Sequence, residues 1–164
     1  MTVTDALLDS WDRQCRIVDA VAGRIDETNR GFKPSEDGMP LDAQLAHIHK
    51  VRLYFLQNAS PDHAAGIGDS YVDGWTTPID DLDKIKELLK ASGKGVRDAV
   101  EHLLNKGVEK AGWYDNPVLY LQHMVWHDGW HVGLIVLGLR LGGQEIPEGW
   151  EEKHVWDEWR TETW

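Results

Sequence analysis

The segment from Gln122 to Leu141 constrains the fold more than any other part of the chain. It has the pattern of one long helix that carries histidines four residues apart, at His123, His127 and His131. Residues four apart lie on one helical face, about 6 Å from each other along the axis. Two imidazoles placed in this way can bind one metal ion, as in His-x-x-x-His motifs. The segment therefore predicts a helix with two metal ligands, surrounded by the helices of the remaining chain.

Three earlier stretches repeat apolar residues at three- and four-residue steps, which is the pattern of amphipathic helices. They run from Thr4 to about Asn29, from Leu41 to Asn58, and from Asp80 or Asp81 to Leu104. Gly93 and Gly95 weaken the middle of the third helix and predict a bend or break there.

The fourth helix has a signal at each end. Asn116-Pro117 supplies a cap followed by proline in the first turn, and Gly142-Gly143 is a common stop. The tail from Glu151 to Trp164 predicts a short packed helix, and no segment alternates with the period of two that strands require. The chain, residues 1–164, is long enough for one domain with a core. We predict a single all-α domain, a four-helix bundle with a short C-terminal helix or tail.

The connection from Asn58 to Asp80 is long for a compact domain. Connections of this length are usually functional lids or mobile segments. Either a lid over one mouth of a pocket or a disordered surface loop fits the sequence.

The fourth helix is apolar on nearly all sides, and such helices are buried on nearly all sides. Its face away from the histidines presents Val125, Gly129, Val132, Gly133 and Val136. We predict that this back face packs against a neighbouring helix, which belongs either to this chain or to a second subunit of a homodimer.

Charge and composition exclude several classes of protein. The chain has 17 basic and 28 acidic residues, a net charge of −11, and no basic stripe of the kind that nucleic-acid binding needs. Cys15 is the only cysteine, so no disulfide or Cys-x-x-Cys metal site can form within the chain. No apolar run reaches the roughly 18 to 20 residues that span a bilayer, and the first residues lack the pattern of a signal peptide. We expect a cytoplasmic protein that acts on a small molecule, without nucleic-acid or membrane partners.

A third ligand is needed, because two histidines rarely hold an ion well. The candidates on other turns or helices are His47, His49, His63, His102 and His123. Periodicity does not decide between His47 and His49: the latter lies nearer the centre of the apolar stripe of the second helix, and His47 lies at its edge.

Other residues near the motif receive weaker assignments. His123, one turn before His127, is predicted to be an outer partner of the site, pocket wall or surface, because three successive turns cannot converge on one ion without strain. Tyr54, Trp126 and Trp130 are further candidates for the pocket wall. Asp128 points about a quarter turn away from His127 and is predicted to lie on the surface or in an interface.

Two separated motifs carry a resemblance. Leu45-Ala46-His47-Ile48 is followed about eighty residues later by His127-x-x-x-His131-x-Gly133, and then by Leu139-Arg140-x-Gly142. This combination resembles the DinB/YfiT-like family, small four-helix bundles with a metal site of three histidines. The resemblance implies that His47, His127 and His131 are the ligands. The chain departs from the family after the last ligand: many members read His-Arg-Gly-Gln where this chain has His131-Val132-Gly133-Leu134, so no role of that arginine or glutamine carries over.

Three histidine ligands leave open positions on a divalent ion, as in catalytic rather than structural zinc sites. Zinc is the first expectation, with nickel, manganese, iron or copper compatible with such a site. The resemblance implies two chemistries: a thiol-dependent S-transferase using bacillithiol or mycothiol as cosubstrate, which we favour, or a metal-dependent hydrolase. A non-enzymatic metal-binding stress-response protein is the alternative of another class, and a fourth protein ligand would favour it.

Overall fold

The computed structural model of the protein describes residues 1–160 and is an all-α bundle. Five α-helices follow one another along the chain: α1 (Val3–Ala22), α2 (Leu41–Ala59), α3 (Pro61–Ala64), α4 (Leu82–Asn105) and α5 (Pro117–Leu141). A short π-helix, Glu152–Trp156, follows them. Extended structure in the described range is limited to two isolated bridges, Tyr71 with Pro78 and Ala111 with Tyr114. The predicted helical bundle is therefore confirmed.

The four long helices pack so that α1 and α2 lie on opposite sides of the bundle. Each of them contacts both α4 and α5, and α2 has its largest contact with α4. Between α1 and α5 the buried side chains include Ile17, Val21, Val132 and Ile135. This arrangement makes α2 and α5 neighbours, which is the condition for their histidines to meet.

The first helix ends about two turns earlier than predicted. It begins at Val3 under a capping box in which Thr2 and Asp5 exchange hydrogen bonds. It stops at Ala22 with Gly23 as its C-cap, and in the segment that follows the Asp26 carboxylate accepts hydrogen bonds from the backbone N–H and hydroxyl of Thr28. Such local side-chain bonds compete with helical backbone bonds.

The predicted break in the third long helix is wrong, because α4 runs unbroken past both glycines. A Cβ at Gly93 would lie 3.0 Å from Cys15 Sγ, and one at Gly95 would lie 2.7 Å from a Leu56 methyl. These glycines therefore serve close packing.

The ends predicted for the fourth helix are confirmed. Asn116 Oδ1 accepts the Leu119 N–H at the start of α5, and the helix stops before Gly142. Of the C-terminal helix predicted from Glu151 to Trp164, residues 152–156 are π-helical, and residues 161–164 lie outside the described range. Within residues 1–160, no helix is both long and apolar enough to cross a membrane.

The back face of α5 is divided. Val132 and Val136 are buried within the chain, in the cluster that also contains α1 residues. Gly129 and Gly133 instead point outward, and a Cβ on either would meet no heavy atom within 4 Å. The chain's own helices thus cover only part of the predicted face.

Candidate metal centre

Three histidines from two helices converge at one point of the bundle. His47 is supplied by α2, and His127 and His131 by successive turns of α5. One ring nitrogen from each lies within 4.8 Å of the other two, and the ring centroids are 4.7 to 5.3 Å apart. This group can hold a metal ion, and it brings together the three residues that the family resemblance implies.

A hydrogen bond fixes the orientation of His131. Its Nδ1 lies 2.7 Å from Gln44 Oε1, one turn before His47 on α2. The Gln44 amide nitrogen in turn donates to the Met39 carbonyl at 3.3 Å, so its oxygen faces the imidazole. Because an amide oxygen only accepts, His131 Nδ1 carries the proton, and Nε2 keeps the lone pair that a metal needs.

His127 has an acidic neighbour that sequence analysis placed incorrectly. Asp128 is fully buried, not on the surface or in an interface, and its Oδ2 accepts two bonds from Arg52, at 3.0 Å from Nε and 2.6 Å from Nη2. The quarter turn between His127 and Asp128 leads into the core, where Arg52 compensates the charge. Asp128 Oδ1 lies 3.7 Å from His127 Nδ1, and both atoms lack hydrogen-bond partners. The unsatisfied Nδ1 of His127 is compatible with a role of this imidazole in binding a metal.

The surroundings keep two of the three rings neutral. Burial lowers the pKa of His131 to about 4, with the neighbouring His127 and His47 adding to the effect. Burial also lowers the pKa of His47. Since a metal binds the neutral imidazole, these ligands need not release a proton at neutral pH.

The other candidate ligands do not join this group. His49, which is also on α2, is buried, and its ring nitrogens lie 2.9 Å from the carbonyls of Leu88 and Gly68. His63 and His102 pair with each other at 5.2 Å between centroids. Nδ1 of His123 lies 2.6 Å from the Tyr114 hydroxyl, and its ring is 6.3 Å from that of His127. His123 therefore borders the centre.

The long connection before α4 is fastened to α2 beside the centre. His49 binds the carbonyl of Gly68, Lys50 forms an ion pair with Asp69, and the Ser70 hydroxyl donates to the Ala46 carbonyl at 2.7 Å. The Tyr71–Pro78 bridge then closes a hairpin whose tip carries Trp75. The Trp75 ring lies 6.0 Å from His47, so this hairpin lies against one side of the centre.

Half-exposed aromatic rings extend from the centre along α2. Tyr54 packs 5.4 Å from Trp75 and 5.5 Å from Trp113, and Phe55 packs 5.1 Å from His123. We call Tyr54, Phe55, Trp75, Trp113 and His123 the aromatic rim. Tyr54 and His123, two predicted wall residues, thus lie beside the histidines.

The other two predicted wall residues lie elsewhere. Trp126 and Trp130 stack on each other at 5.8 Å on the solvent-facing side of α5. Among the ring contacts of residues 1–160, none joins either indole to the three histidines. Their positions in the helix are rotated away from the face of His131, by about 100° in the case of Trp130.

Sequence analysis missed four residues that shape the centre: Gln44, Arg52, Trp75 and Tyr114. Gln44 had a usable signal, because it precedes His47 by three residues and shares its helical face. A tryptophan in a connection rich in glycine and aspartate was a second signal. For Arg52 and Tyr114 the partners lie in other elements, and no local pattern indicates them.

Comparisons of the chain with protein-family models, with curated proteins and with solved structures find no match. We therefore infer function from the geometry of the centre and from the motif residues that it contains.

Proposed function

We propose that the protein is a metal-dependent enzyme in which His47, His127 and His131 hold a divalent ion, zinc in the first instance. The observation that carries the proposal is the convergence of three imidazoles without a carboxylate, beside a half-exposed aromatic rim. Neutral ligands leave the full positive charge on the ion, which favours an anionic nucleophile. A divalent ion lowers the pKa of a bound water to about 7 and holds a thiol as its thiolate.

The reaction we propose is transfer of a low-molecular-weight thiol, of the bacillithiol or mycothiol type, to an electrophilic carbon. The thiol sulfur forms a bond to that carbon while the bond to the leaving group breaks, and the thiol proton passes to solvent. Resemblance of the motifs to the DinB/YfiT-like family implies either this reaction or hydrolysis, and hydrolysis is the alternative proposal. The aromatic rim supplies the contact surface for an apolar or aromatic electrophile.

Two observations favour an enzyme over a non-enzymatic metal-binding protein. Within residues 1–160 the ligand group contains three histidines, and neither His49, His63 nor His123 closes it as a fourth ligand. The rings beside it, Tyr54 and Trp75, are about four-tenths to half exposed, so part of the aromatic rim is in contact with solvent.

Metal content tests the first part of the proposal. Untagged protein should carry about one divalent ion per chain, and the His127→Ala variant should carry less than a tenth of that. His63→Ala, outside the centre, should match the wild type. Equal, substoichiometric metal in wild type and His127→Ala would refute the site.

Thiol consumption tests the second part. Bacillithiol, mycothiol, glutathione and cysteine are offered with a panel of aromatic electrophiles, and zinc-loaded wild type is compared with His127→Ala. Turnover of at least one thiol that is lost in the variant supports the transferase. No turnover of any of the four thiols, together with cleavage of activated esters, would refute the transferase and support the hydrolase.

A further inference from the structure

Within residues 1–160, one side of α5 is left uncovered along most of its length. Four large apolar side chains there are exposed: Trp126 by 66%, Trp130 by 60%, Leu137 by 43% and Leu141 by 63%. With Gly133 between them, they form one stripe, because their positions recur at three- and four-residue steps. We call these five residues the α5 stripe. It lies on a different face of α5 from the three histidines and from the buried valines.

The exposed apolar area of this surface is comparable to the largest apolar patches of ordinary monomers, which are often functional. Together with Trp156 and Trp159, exposed by 53% and 42%, the tryptophans alone offer on the order of 500 Å² of apolar surface, taking about 250 Å² for each indole side chain. Leu137 and Leu141 add to this. A contiguous apolar patch of a few hundred Å² usually marks an interaction site, and a standard interface covers about 800 Å² per partner.

We propose that the α5 stripe binds the same stripe of a second copy, in an antiparallel homodimer. The decisive feature is its internal symmetry. A two-fold axis between Gly133 and Leu134 places Trp126 opposite the partner's Leu141, and Trp130 opposite the partner's Leu137, because both pairs are centred on the same point of the helix. An isologous interface requires this kind of self-complementarity.

The centre of the stripe permits close approach. Gly133 lies at the two-fold axis, and Gly129 lies one turn before it. A Cβ on either would meet no heavy atom of another element within 4 Å in the described part of the chain, so neither glycine is needed there for packing within the monomer. Helices approach most closely where the contact residues are small.

Charge and shape agree with a second copy as the occupant. The protein carries a net charge of −11, yet the five residues of the stripe are uncharged. Arg140 at its edge is already ion-paired with Glu151. Beside Gly129, Gly133 and Leu137 runs a groove of about 370 Å³, with Trp156 and Trp159 in its other wall, which gives the partner's indoles room.

Molar mass in solution tests the dimer. Untagged protein, measured by light scattering and sedimentation between 1 and 100 µM, should have twice the chain mass of 18.6 kDa. Trp130→Lys and Leu137→Lys should each be monomeric with unchanged helical circular dichroism. Val72→Lys, at an equally exposed apolar position outside the stripe, should remain dimeric.

Gly133→Gln separates dissociation from unfolding. Glutamine is a better helix former than glycine and meets open space here, so the monomer keeps its fold, but the side chain holds two α5 helices apart. We expect a folded monomer. A wild type that is monomeric at 100 µM, or a dimer that persists in Trp130→Lys, Leu137→Lys and Gly133→Gln, would overturn the proposal.

Cross-linking tests the antiparallel register. In a Cys15→Ser background, oxidation of a mixture of Trp130→Cys and Leu137→Cys proteins should give a mixed disulfide dimer, and each protein alone should give little. Efficient cross-linking of each protein with itself would mean a parallel arrangement and would overturn the proposed pairing.

Discussion

Gln44 shows how one outer residue can prepare a metal ligand. Its amide oxygen fixes the proton of His131 on Nδ1, and its amide nitrogen is held by the Met39 carbonyl. The glutamine is buried and has no other evident function in the bundle. Outer partners of this kind orient the ring before the metal arrives and raise the basicity of the ligand nitrogen.

Replacing Gln44 by leucine should therefore weaken zinc binding by about 10- to 100-fold, the usual cost of losing an outer partner of a ligand. Competition with a chromophoric chelator measures the dissociation constant. Gln57→Leu, on the exposed side of the same helix, provides the matched control and should bind zinc as the wild type does. Equal affinity in both variants would mean that Gln44 does not position His131.

Arg52 and Asp128 form the second residue-scale feature, a fully buried ion pair. Arg52 also donates from Nη1 to the Leu89 carbonyl at 3.0 Å, and its guanidinium lies 4.9 Å from the centroid of the Trp11 ring. Burying two charges is costly, and their attraction and hydrogen bonds offset that cost only while both are present.

Asp128→Ala should lower the free energy of unfolding by about 3 to 5 kcal/mol, because it leaves the Arg52 charge buried and unpaired. The double variant Arg52→Met/Asp128→Leu should lose much less. Urea unfolding in the presence of a chelator measures both without interference from metal. For comparison, Glu87→Ala breaks the exposed ion pair with Lys84 and should cost less than about 1 kcal/mol. A double variant as unstable as Asp128→Ala would contradict this explanation.

At the scale of elements, the hairpin before α4 links the scaffold to the centre. At its base, residues 68–70 are bound to α2. At its tip, Trp75 lies between His47 and Tyr54. Lys50 contacts the tip of the hairpin, with its ammonium 5.3 Å from the Trp75 ring centroid. The hairpin thus positions a flat apolar surface beside the three histidines.

If the proposed function holds, Trp75→Ala should raise KM for an aromatic electrophile three- to tenfold, since an aromatic contact contributes about 0.5 to 1.5 kcal/mol. Metal content should not change, because Trp75 is not a ligand. Steady-state kinetics and metal analysis measure the two effects. Val72→Ala, exposed in the same hairpin, is the control. Loss of kcat with unchanged KM would argue against a substrate contact.

The helices were predictable from the sequence because their signals are local. The caps of α5 and the apolar periodicity of the other three long helices each involve residues within a few positions of one another. The predictions were wrong where the structure depends on a contact between residues far apart in the sequence. Gly93 faces Arg52 across the bundle, and Asp128 binds a partner 76 residues away. Trp126 and Trp130 were misplaced for a related reason, since an apolar side chain at helical spacing does not show which face another element covers.

At the scale of the molecule, the titration of buried histidines couples stability to pH. Burial lowers the pKa of His47, His49, His123 and His131, the last to about 4 from an ordinary value of 6.5. Between pH 6.5 and 4 the unfolded chain therefore binds more protons than the folded one. Under this condition the free energy of unfolding rises with pH.

We expect the metal-free protein to be most stable above about pH 6.5 and to lose stability as the pH falls towards 4. The His131 shift from 6.5 to about 4 alone corresponds to about 3 kcal/mol, at 1.36 kcal/mol per pKa unit. Urea unfolding at fixed protein concentration, with chelator present, should show this slope, and His131→Gln should reduce it. His154→Gln, in the C-terminal segment outside the centre, should leave the slope unchanged. A wild-type stability that is flat between pH 6.5 and 4, or a His131→Gln slope equal to that of the wild type, would mean that protonation of the centre does not drive acid unfolding.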